Sequence, residues 1–191
     1  MIPNATGHPM YDWFGLNREL FLVINGLHTP LLDWLMVSAS AIGHPRMYPF
    51  YMAVLLLLHW RGRAVALRGL ATLAIAYPVV SMAIVPAMKA SLDLPRPLAA
   101  LGPDAVTLLG EVETNGAFPS GHAAFAVLIA ASLMPGASRA ARIGLAMTAF
   151  LVCLSRVWVG AHFPADVVGG ALISIACVAA IRVAIGERAG S

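Results

Sequence analysis

Charged side chains are scarce in this chain of 191 residues: 11% of the residues are Asp, Glu, Lys or Arg, and 60% are hydrophobic. Soluble domains carry charge on about a quarter of their residues, so the composition excludes an ordinary soluble fold. The mean hydropathy is +0.82, and long blocks hold no charge at all. A helix that spans a bilayer needs roughly 20 mostly apolar residues. The sequence therefore predicts an integral membrane protein.

Cysteines are few and the net charge is small. Cys153 and Cys177 both lie in apolar runs, which indicates inert thiols and excludes a disulfide or metal framework. The net charge of +3 comes from scattered basic residues, which excludes a nucleic-acid-binding surface. Residues 1–17 lack the basic start of a cleavable signal peptide. No repeat or low-complexity tract is visible, and the sequence leaves the oligomeric state open.

Six apolar segments follow an N-terminal lead of about residues 1–20. The aromatic residues of this lead suit a membrane interface: Tyr11, Trp13 and Phe14. The segments cover residues 21–43, 47–60, 65–90, 120–134, 143–158 and 164–185. Pro30 and Asp33 interrupt the first, so we expect an interfacial helix there, followed by a short span. The predicted fold is all-α: a single domain, residues 1–191, folded as a polytopic membrane helical bundle of about six transmembrane helices.

The arginines predict the orientation, because loops rich in Lys and Arg face the cytoplasm. Seven of them share one side under the six-span topology: Arg61, Arg63, Arg68, Arg139, Arg142, Arg182 and Arg188. The acidic loop 91–119 and the loop that contains Arg46 then face outward, and both termini lie inside. The Arg-, Ala- and Gly-rich composition is typical of a GC-rich bacterial genome. We therefore expect a multi-pass protein of the bacterial inner (cytoplasmic) membrane.

Three polar clusters occur at the outward ends of the predicted helices. They read KASLDLPRP at 89–97, PSGH at 119–122 and SRVWVGAHFPAD at 155–166. Together they supply three cations, two imidazoles and one carboxylate: Lys89, Arg96, Arg156, His122, His162 and Asp166. Fixed cations around a helix N-terminus form an anion site, for which a phosphoryl group is the natural ligand. Ser120 can cap that helix, and Gly121 lets an oxygen approach the backbone closely.

The two histidines suit different tasks. His162 and Asp166 lie four residues apart, on one face at the start of the sixth helix, where Pro164 fits the first turn. A carboxylate beside an imidazole fixes its tautomer and stabilises the imidazolium that forms when the ring nitrogen attacks. His122 has no such partner nearby and is suited to protonate the leaving oxygen. This pattern predicts phosphoryl transfer through phosphohistidine and then hydrolysis, with no metal and no other cofactor, because the three cations offset the transferred charge.

The three clusters resemble the signature of the type-2 phosphatidic acid phosphatase superfamily, which includes lipid phosphate phosphatases, bacterial acid phosphatases and vanadium haloperoxidases. Every motif position is matched, over a core of about residues 65–183. The resemblance implies the helical core of these enzymes and the same catalytic roles: His162 as nucleophile, His122 as acid and Asp166 as the group that orients the nucleophile. It also implies the set of phosphate-binding residues: Lys89, Arg96, Ser120, Gly121 and Arg156.

Together the residues and the resemblance favour a membrane lipid phosphatase whose site faces the periplasm, with undecaprenyl pyrophosphate as the best-fitting substrate. Relatives also act on phosphatidic acid, phosphatidylglycerol phosphate and lipid A, so these substrates remain open. A lipid-to-lipid phosphotransferase would use the same histidines. A transporter or anion-binding protein would have no need of an oriented nucleophile, and a membrane-embedded site does not suit a haloperoxidase. The expected partners are the lipid phosphate substrate and membrane lipids, without nucleic acid.

Several other polar and aromatic residues are expected to have no role in catalysis. Four histidines lie outside the three polar clusters and are expected to be non-catalytic: His8, His28, His44 and His59. Trp60 and Trp158 are interpreted as interface anchors. Glu111 and Glu113 are interpreted as a solvated loop edge, with the admission of a substrate headgroup as the alternative.

Overall fold

The structure, a computed structural model, describes residues 9–62 and 66–186. All regular elements within these ranges are helical, which confirms the all-α prediction. The α-helices are numbered α1 to α10: Pro9–Asp12, Leu16–Asn25, Pro30–Ile42, Tyr48–Trp60, Leu67–Tyr77, Val85–Leu92, Pro97–Leu101, Gly121–Leu133, Arg139–Trp158 and Pro164–Ala184. A π-helical stretch, Pro78–Ile84, joins α5 to α6. Four positions named above lie outside the described residues: His8, Arg63, the segment start at Val65, and Arg188.

Helix α8 lies at the centre of the bundle, packed against α5, α9 and α10. Apolar association supplies little driving force in lipid, so close backbone approach and interhelical hydrogen bonds hold such helices together. Gly170 on α10 provides that approach, because a Cβ built there would stand 2.5 Å from the Ser120 carbonyl oxygen. One turn further along α10, the Ser174 hydroxyl donates to the Ala124 carbonyl at 2.7 Å. These contacts fix the start of α8 against the start of α10.

The first apolar segment is broken, as Pro30 predicts. Helices α2 and α3 meet at a bend of 119°, where Thr29 caps α3 and Pro30 occupies its first turn. Asp33 holds the bend against α9: it accepts from His28 Nδ1 at 2.7 Å and from Trp158 Nε1 at 2.8 Å. Trp158 is therefore only 4% exposed, and its interpretation as an interface anchor is wrong. Trp60, in contrast, is 83% exposed.

Within residues 9–62 and 66–186, three helical stretches are long and apolar enough to cross a bilayer: Leu67–Leu101, Arg139–Trp158 and Pro164–Ala184. The bent pair α2–α3 raises this to four if the pair counts as one span, and α8 is a shorter apolar helix. Large apolar side chains on the outer faces of α9 and α10, such as Phe150 and Leu172, are exposed, as a lipid-facing surface requires. The protein is thus a helical membrane protein, and the number of about six spans stays a prediction.

Helix ends depart from the predicted segments where polar residues take part in helices. Helix α9 begins at Arg139, four residues before the predicted start at 143, because the Ser138 side chain accepts from the Ala141 amide and caps the helix.

At the end of the bundle opposite Asp166, the start of α5 packs on the end of α8, and Arg182 on α10 donates to the Ser132 carbonyl at 2.9 Å. The predicted arginine-rich side is therefore one physical end of the bundle.

Candidate active site

A pocket of about 440 Å³ opens at the end of the bundle where α8 and α10 begin and α9 ends. The residues that line it come from all three sequence clusters and from two loops: His44, Pro45, Lys89, Arg96, Glu113, Asn115, Gly116, Gly121, His122, Arg156 and His162. Ser120 and Asp166, the remaining predicted site residues, are fully buried. The structure thus brings together every residue that the three clusters singled out.

The start of α8 forms one wall of this pocket. Ser120 precedes the helix with extended backbone, and its hydroxyl accepts from the Ala123 amide at 3.5 Å. The Ser120 amide donates to the Asp166 carbonyl at 2.9 Å, which ties this wall to α10. The first amides of a helix have no partner within the helix, and the helix dipole adds partial positive charge there. The Gly121–His122 end therefore suits an anion.

The start of α10 supplies the second wall. His162 Nδ1 lies 3.3 Å from Asp166 Oδ2, which also accepts from the Phe163 amide at 2.8 Å. With Nδ1 turned to the carboxylate, Nε2 is the ring nitrogen left for a ligand. Burial, and the charges of Arg96 and Arg156, hold the pKa of His162 well below its usual range. The ring is therefore neutral, as a nucleophile must be.

The guanidinium of Arg96 is fastened on three sides. Its Nε donates to the Asn115 carbonyl and its Nη1 to the Ala161 carbonyl, each at 3.2 Å, and Nη2 pairs with Glu113. The side chain of Arg96 is 10% exposed and that of Glu113 is 54% exposed. Glu113 therefore remains at the solvated edge of the loop, as interpreted, but its carboxylate is also an ion-pair partner of the site, which no local pattern indicates.

The other two cations are held in the same manner. Lys89 Nζ donates to the Gly116 carbonyl, and Arg156 Nη1 donates to the Ser40 hydroxyl on α3. The Nε of Arg156 is buried and has no protein partner. An unpaired buried donor costs free energy, and a ligand oxygen would satisfy it. The three cations are thus pre-positioned around a space that an anion fits.

Two residues reach the site without any signal in their local sequence. The His44 ring stands edge-on to His122, with centroids 4.9 Å apart, and Tyr11 from the N-terminal lead donates from its hydroxyl to Asp166 Oδ1 at 2.5 Å. Burial, then Arg46 and Arg156, lower the pKa of His44. We expected His44 to be non-catalytic and Tyr11 to lie at the interface. Their partners are distant in sequence, so periodicity and motif spacing carry no trace of them.

The donor set of the pocket indicates what it binds. Across residues 9–62 and 66–186, no group of three or more His, Cys, Asp or Glu side chains is arranged to hold a metal ion. Three cations, three imidazoles and the first amides of α8 face the pocket instead. Cys153 and Cys177 are free thiols away from it. A phosphoryl group matches this set, because cations and backbone amides stabilise the charge on its oxygens.

A family profile and two known proteins match the sequence of this chain. The sequence profile of the PAP2 superfamily matches residues 66–189. An undecaprenyl-diphosphatase from Sulfolobus acidocaldarius is 32% identical over 159 residues, which is 83% of this chain and 73% of the relative. Undecaprenyl-diphosphatase BcrC from Bacillus subtilis is 28% identical over 168 residues, which is 84% of this chain and 79% of the relative.

Two crystal structures match the fold. LpxE from Aquifex aeolicus superposes with a TM-score of 0.76 at 32% identity, covering 86% of this chain and 93% of that one. The transmembrane PAP2 type phosphatidylglycerolphosphate phosphatase from Bacillus subtilis gives a TM-score of 0.67 at 22% identity, covering 92% of this chain and 88% of that one. With its site geometry and its sequence in agreement, the chain belongs to the PAP2 superfamily and is a membrane-bound phosphate hydrolase.

Proposed function

We propose that the protein hydrolyses the phosphate of a lipid diphosphate, with undecaprenyl diphosphate as the substrate, through a phosphohistidine on His162. The observation that carries the proposal is the buried His162–Asp166 pair beside three pre-positioned cations. An anion-binding site alone needs the cations but not the oriented imidazole. The names of the two relatives from Sulfolobus and Bacillus supply the substrate part of the proposal.

The first chemical step forms the phosphoenzyme. His162 Nε2 attacks the terminal phosphorus, the P–N bond forms, and the bond from phosphorus to the bridging oxygen breaks. Burial and the charge of Arg156 lower the pKa of His122 to about 2. The diphosphate enters carrying a proton and offsets the charge of Arg156, so His122 takes up that proton on substrate binding. His122 then gives it to the leaving oxygen, and lipid monophosphate departs. The positive charge that develops on the phosphorylated imidazole is stabilised by Asp166, and the charge on the transferring oxygens by Lys89 and Arg96.

The second step regenerates the enzyme. A water molecule attacks the phosphorus of phosphohistidine, and His122, now neutral, accepts the proton that the water loses. The P–N bond breaks, inorganic phosphate leaves, and His162 returns to its neutral form. The cations supply charge stabilisation in both steps, so the proposed cycle runs without a metal.

His44 supports the diphosphate assignment. Its Nδ1 accepts from the Arg46 amide at 3.0 Å, so in the neutral ring Nε2 carries the proton and is a donor. The ring lines the pocket next to His122, outside the three clusters. A diphosphate presents a second phosphoryl group beside the one attacked, and His44 offers that group a hydrogen bond that a monoester would not use.

An apolar groove supports a lipid tail as the non-reacting part of the substrate. It has a volume of about 250 Å³ and is lined between α4, α8 and α9 by residues such as Gly43, Phe125, Thr148 and Val152. Gly43 adjoins His44, and Phe125 lies one helical turn below His122. The groove therefore continues from the polar pocket into the apolar flank. A tail that stays in lipid while its headgroup reacts avoids an extraction cost of ~0.8 kcal/mol per CH₂.

The side of the membrane belongs to the proposal as well. The arginines of the opposite end, such as Arg68 and Arg142, are exposed, and loops rich in such residues stay in the cytoplasm. We therefore place the protein in the bacterial inner membrane with its pocket open to the periplasm.

Phosphate release from a panel of purified lipids tests the assignment. Undecaprenyl diphosphate, phosphatidylglycerol phosphate, phosphatidic acid and lipid A are presented in the same detergent, and kcat/KM is compared. We expect the diphosphate to react fastest and to yield inorganic phosphate and lipid monophosphate. A higher kcat/KM for any monoester overturns the diphosphate assignment. Transfer of the phosphoryl group to an added lipid acceptor instead of to water identifies a phosphotransferase.

A further inference from the structure

The carboxylate of Asp166 receives a hydrogen bond from outside the family-matched region. Within the described residues it has three donors: the Phe163 amide and His162 Nδ1 on Oδ2, and the Tyr11 hydroxyl on Oδ1. Asp166 is 0% exposed, so its carboxylate depends on these protein donors and not on bulk solvent. Tyr11 lies 155 residues away in sequence, in the lead that precedes residues 66–189.

The lead is fixed in place by its own polar contacts. Asn17 is fully buried; its side-chain oxygen accepts from the Ala165 amide at 2.9 Å, and its amide donates to the Tyr11 carbonyl at 3.1 Å. The same asparagine thus joins the backbone of Tyr11 to the first turn of α10. The Tyr11 ring also stands edge-on to Phe118 at 6.2 Å and to Phe163 at 6.4 Å. These contacts direct the hydroxyl toward Asp166.

We infer that Tyr11 is a positioning residue for the nucleophile: its hydroxyl holds Asp166 in the orientation that presents Oδ2 to His162 Nδ1. This inference rests on the proposed role of His162. Oδ1 is held by Tyr11 and Oδ2 by the Phe163 amide, so the carboxylate cannot rotate about its own axis. The lead, which the sequence suggests is only an interfacial segment, thereby completes the active site.

The hydroxyl is suited to this task over the physiological range. Burial and the charge of Asp166 raise the pKa of Tyr11 far above its usual value, so Tyr11 keeps its proton and always donates. Hydrogen bonds from a neutral donor to a carboxylate are short and strong. Tyr11 does not line the pocket, and a change there leaves phosphate binding intact. Its loss is expected to slow the attack of His162 and not to weaken substrate affinity.

Tyr11→Phe removes the hydroxyl alone and keeps the ring contacts. With p-nitrophenyl phosphate, a soluble substrate without a lipid tail, we expect kcat to fall about 10- to 100-fold, in the range of a lost buried hydrogen bond to a charged group. KM stays within about twofold, because binding of the phosphate by the three cations does not depend on the orientation of Asp166. Rapid-quench measurement of phosphoenzyme formation should show the same fold-change as kcat. Tyr77→Phe, which loses a part-buried hydroxyl bond to the Pro45 carbonyl at 3.1 Å, is the matched control and should keep wild-type kcat.

A double-mutant cycle separates positioning from general support of the fold. If Tyr11 acts through Asp166, then Tyr11→Phe costs nothing further in an Asp166→Asn background. Equal further losses in both backgrounds, or a rise in KM as large as the fall in kcat, overturn the inference. So does wild-type kcat in Tyr11→Phe itself. His162→Ala is measured in parallel. If His162→Ala still hydrolyses the substrate, the assignment of His162 as nucleophile is wrong. If His162→Ala is inactive and Tyr11→Phe is fully active, only the inference about Tyr11 is wrong.

Discussion

The two ends of the helical bundle use the same side chain for opposite purposes. At one end Arg68, Arg139 and Arg142 are exposed to solvent. At the other end Arg96 is buried, and Arg156 is half-buried and bonded to Ser40. An exposed guanidinium is screened and well hydrated, so it gains little from any one fixed partner. A buried one has lost its water and must find oxygen atoms, so it binds. Whether an arginine of this protein binds a ligand therefore depends on how deeply its guanidinium is buried.

Helix direction reinforces this contrast. Helices α8 and α10 both start at the pocket, so both present their unpaired amides and the positive ends of their dipoles there. At the opposite end the same two helices finish, and Arg182 donates to the Ser132 carbonyl near the end of α8. The two helix starts therefore add positive potential at the pocket to that of its three cations, and at the far end Arg182 satisfies a carbonyl of α8.

Loss of the nucleophile is expected to have the largest effect. His162→Ala should lower phosphate release by at least about 10³-fold, the range seen when a covalent nucleophile is removed. Because His162 lines the open pocket and is not packed inside the hydrophobic core, we expect the variant to fold as the wild type does. The measurement is phosphate release from undecaprenyl diphosphate by protein that elutes as wild type in gel filtration. Near wild-type release from such a sample would falsify the nucleophile assignment.

Arginines from the two ends give the direct test of the comparison. Arg96→Ala should lower kcat/KM by about 10²- to 10³-fold, the usual cost of deleting one donor that stabilises transferring charge, and Arg96→Lys should recover only part because it lacks the planar fork. Arg142→Ala, at the exposed end, should stay within twofold. Equal losses in the two alanine variants would mean that arginine content, and not burial, governs activity.

Thiol labelling tests the sidedness that the exposed arginines predict. After Cys153 and Cys177 are replaced, a cysteine is placed at Ala105 in the outer loop or at Ala140 near the start of α9, both of which are exposed. An impermeant maleimide added to intact cells should modify the first and spare the second, and lysed cells should give both. The reverse pattern would place the active site in the cytoplasm.

Filling the apolar groove should separate tail binding from chemistry. Thr148→Phe adds bulk on an exposed part of the groove wall, so folding should be unaffected. We expect about a tenfold loss of kcat/KM for a lipid diphosphate, in the range of a lost apolar contact, and no change for p-nitrophenyl phosphate. If both substrates lose equally, the groove does not hold the tail.

Metal removal should have the smallest effect. The cations of the pocket repel a divalent ion, so activity in excess EDTA should equal activity in buffer. Vanadate, a phosphate mimic that an imidazole nitrogen can approach, should inhibit. Activity that disappears in EDTA and returns with magnesium or zinc would show that the cations alone do not stabilise the transferred group.

The sequence predicts this site to the extent that its parts are local. Proline at the start of α10, serine before α8 and the four-residue spacing from His162 to Asp166 each follow from helix geometry, and the structure places these residues as expected. Tyr11, Ser40 and His44 were missed because each meets its partner only through tertiary packing. Trp158 was misread because aromatic residues at a helix end resemble interface anchors until Asp33 is seen to accept from the indole.

The contact of Gly170 with the Ser120 carbonyl has a consequence for how such a protein diversifies. The anion-binding helix start and the nucleophile-bearing helix start are joined by backbone atoms, since the Ser120 amide also donates to the Asp166 carbonyl. Side-chain replacement elsewhere does not disturb that joint. The residues of α4 and α9 that line the apolar groove take no part in that joint. We therefore expect substitutions in the groove to change which lipid is accepted while the starts of α8 and α10 keep their alignment.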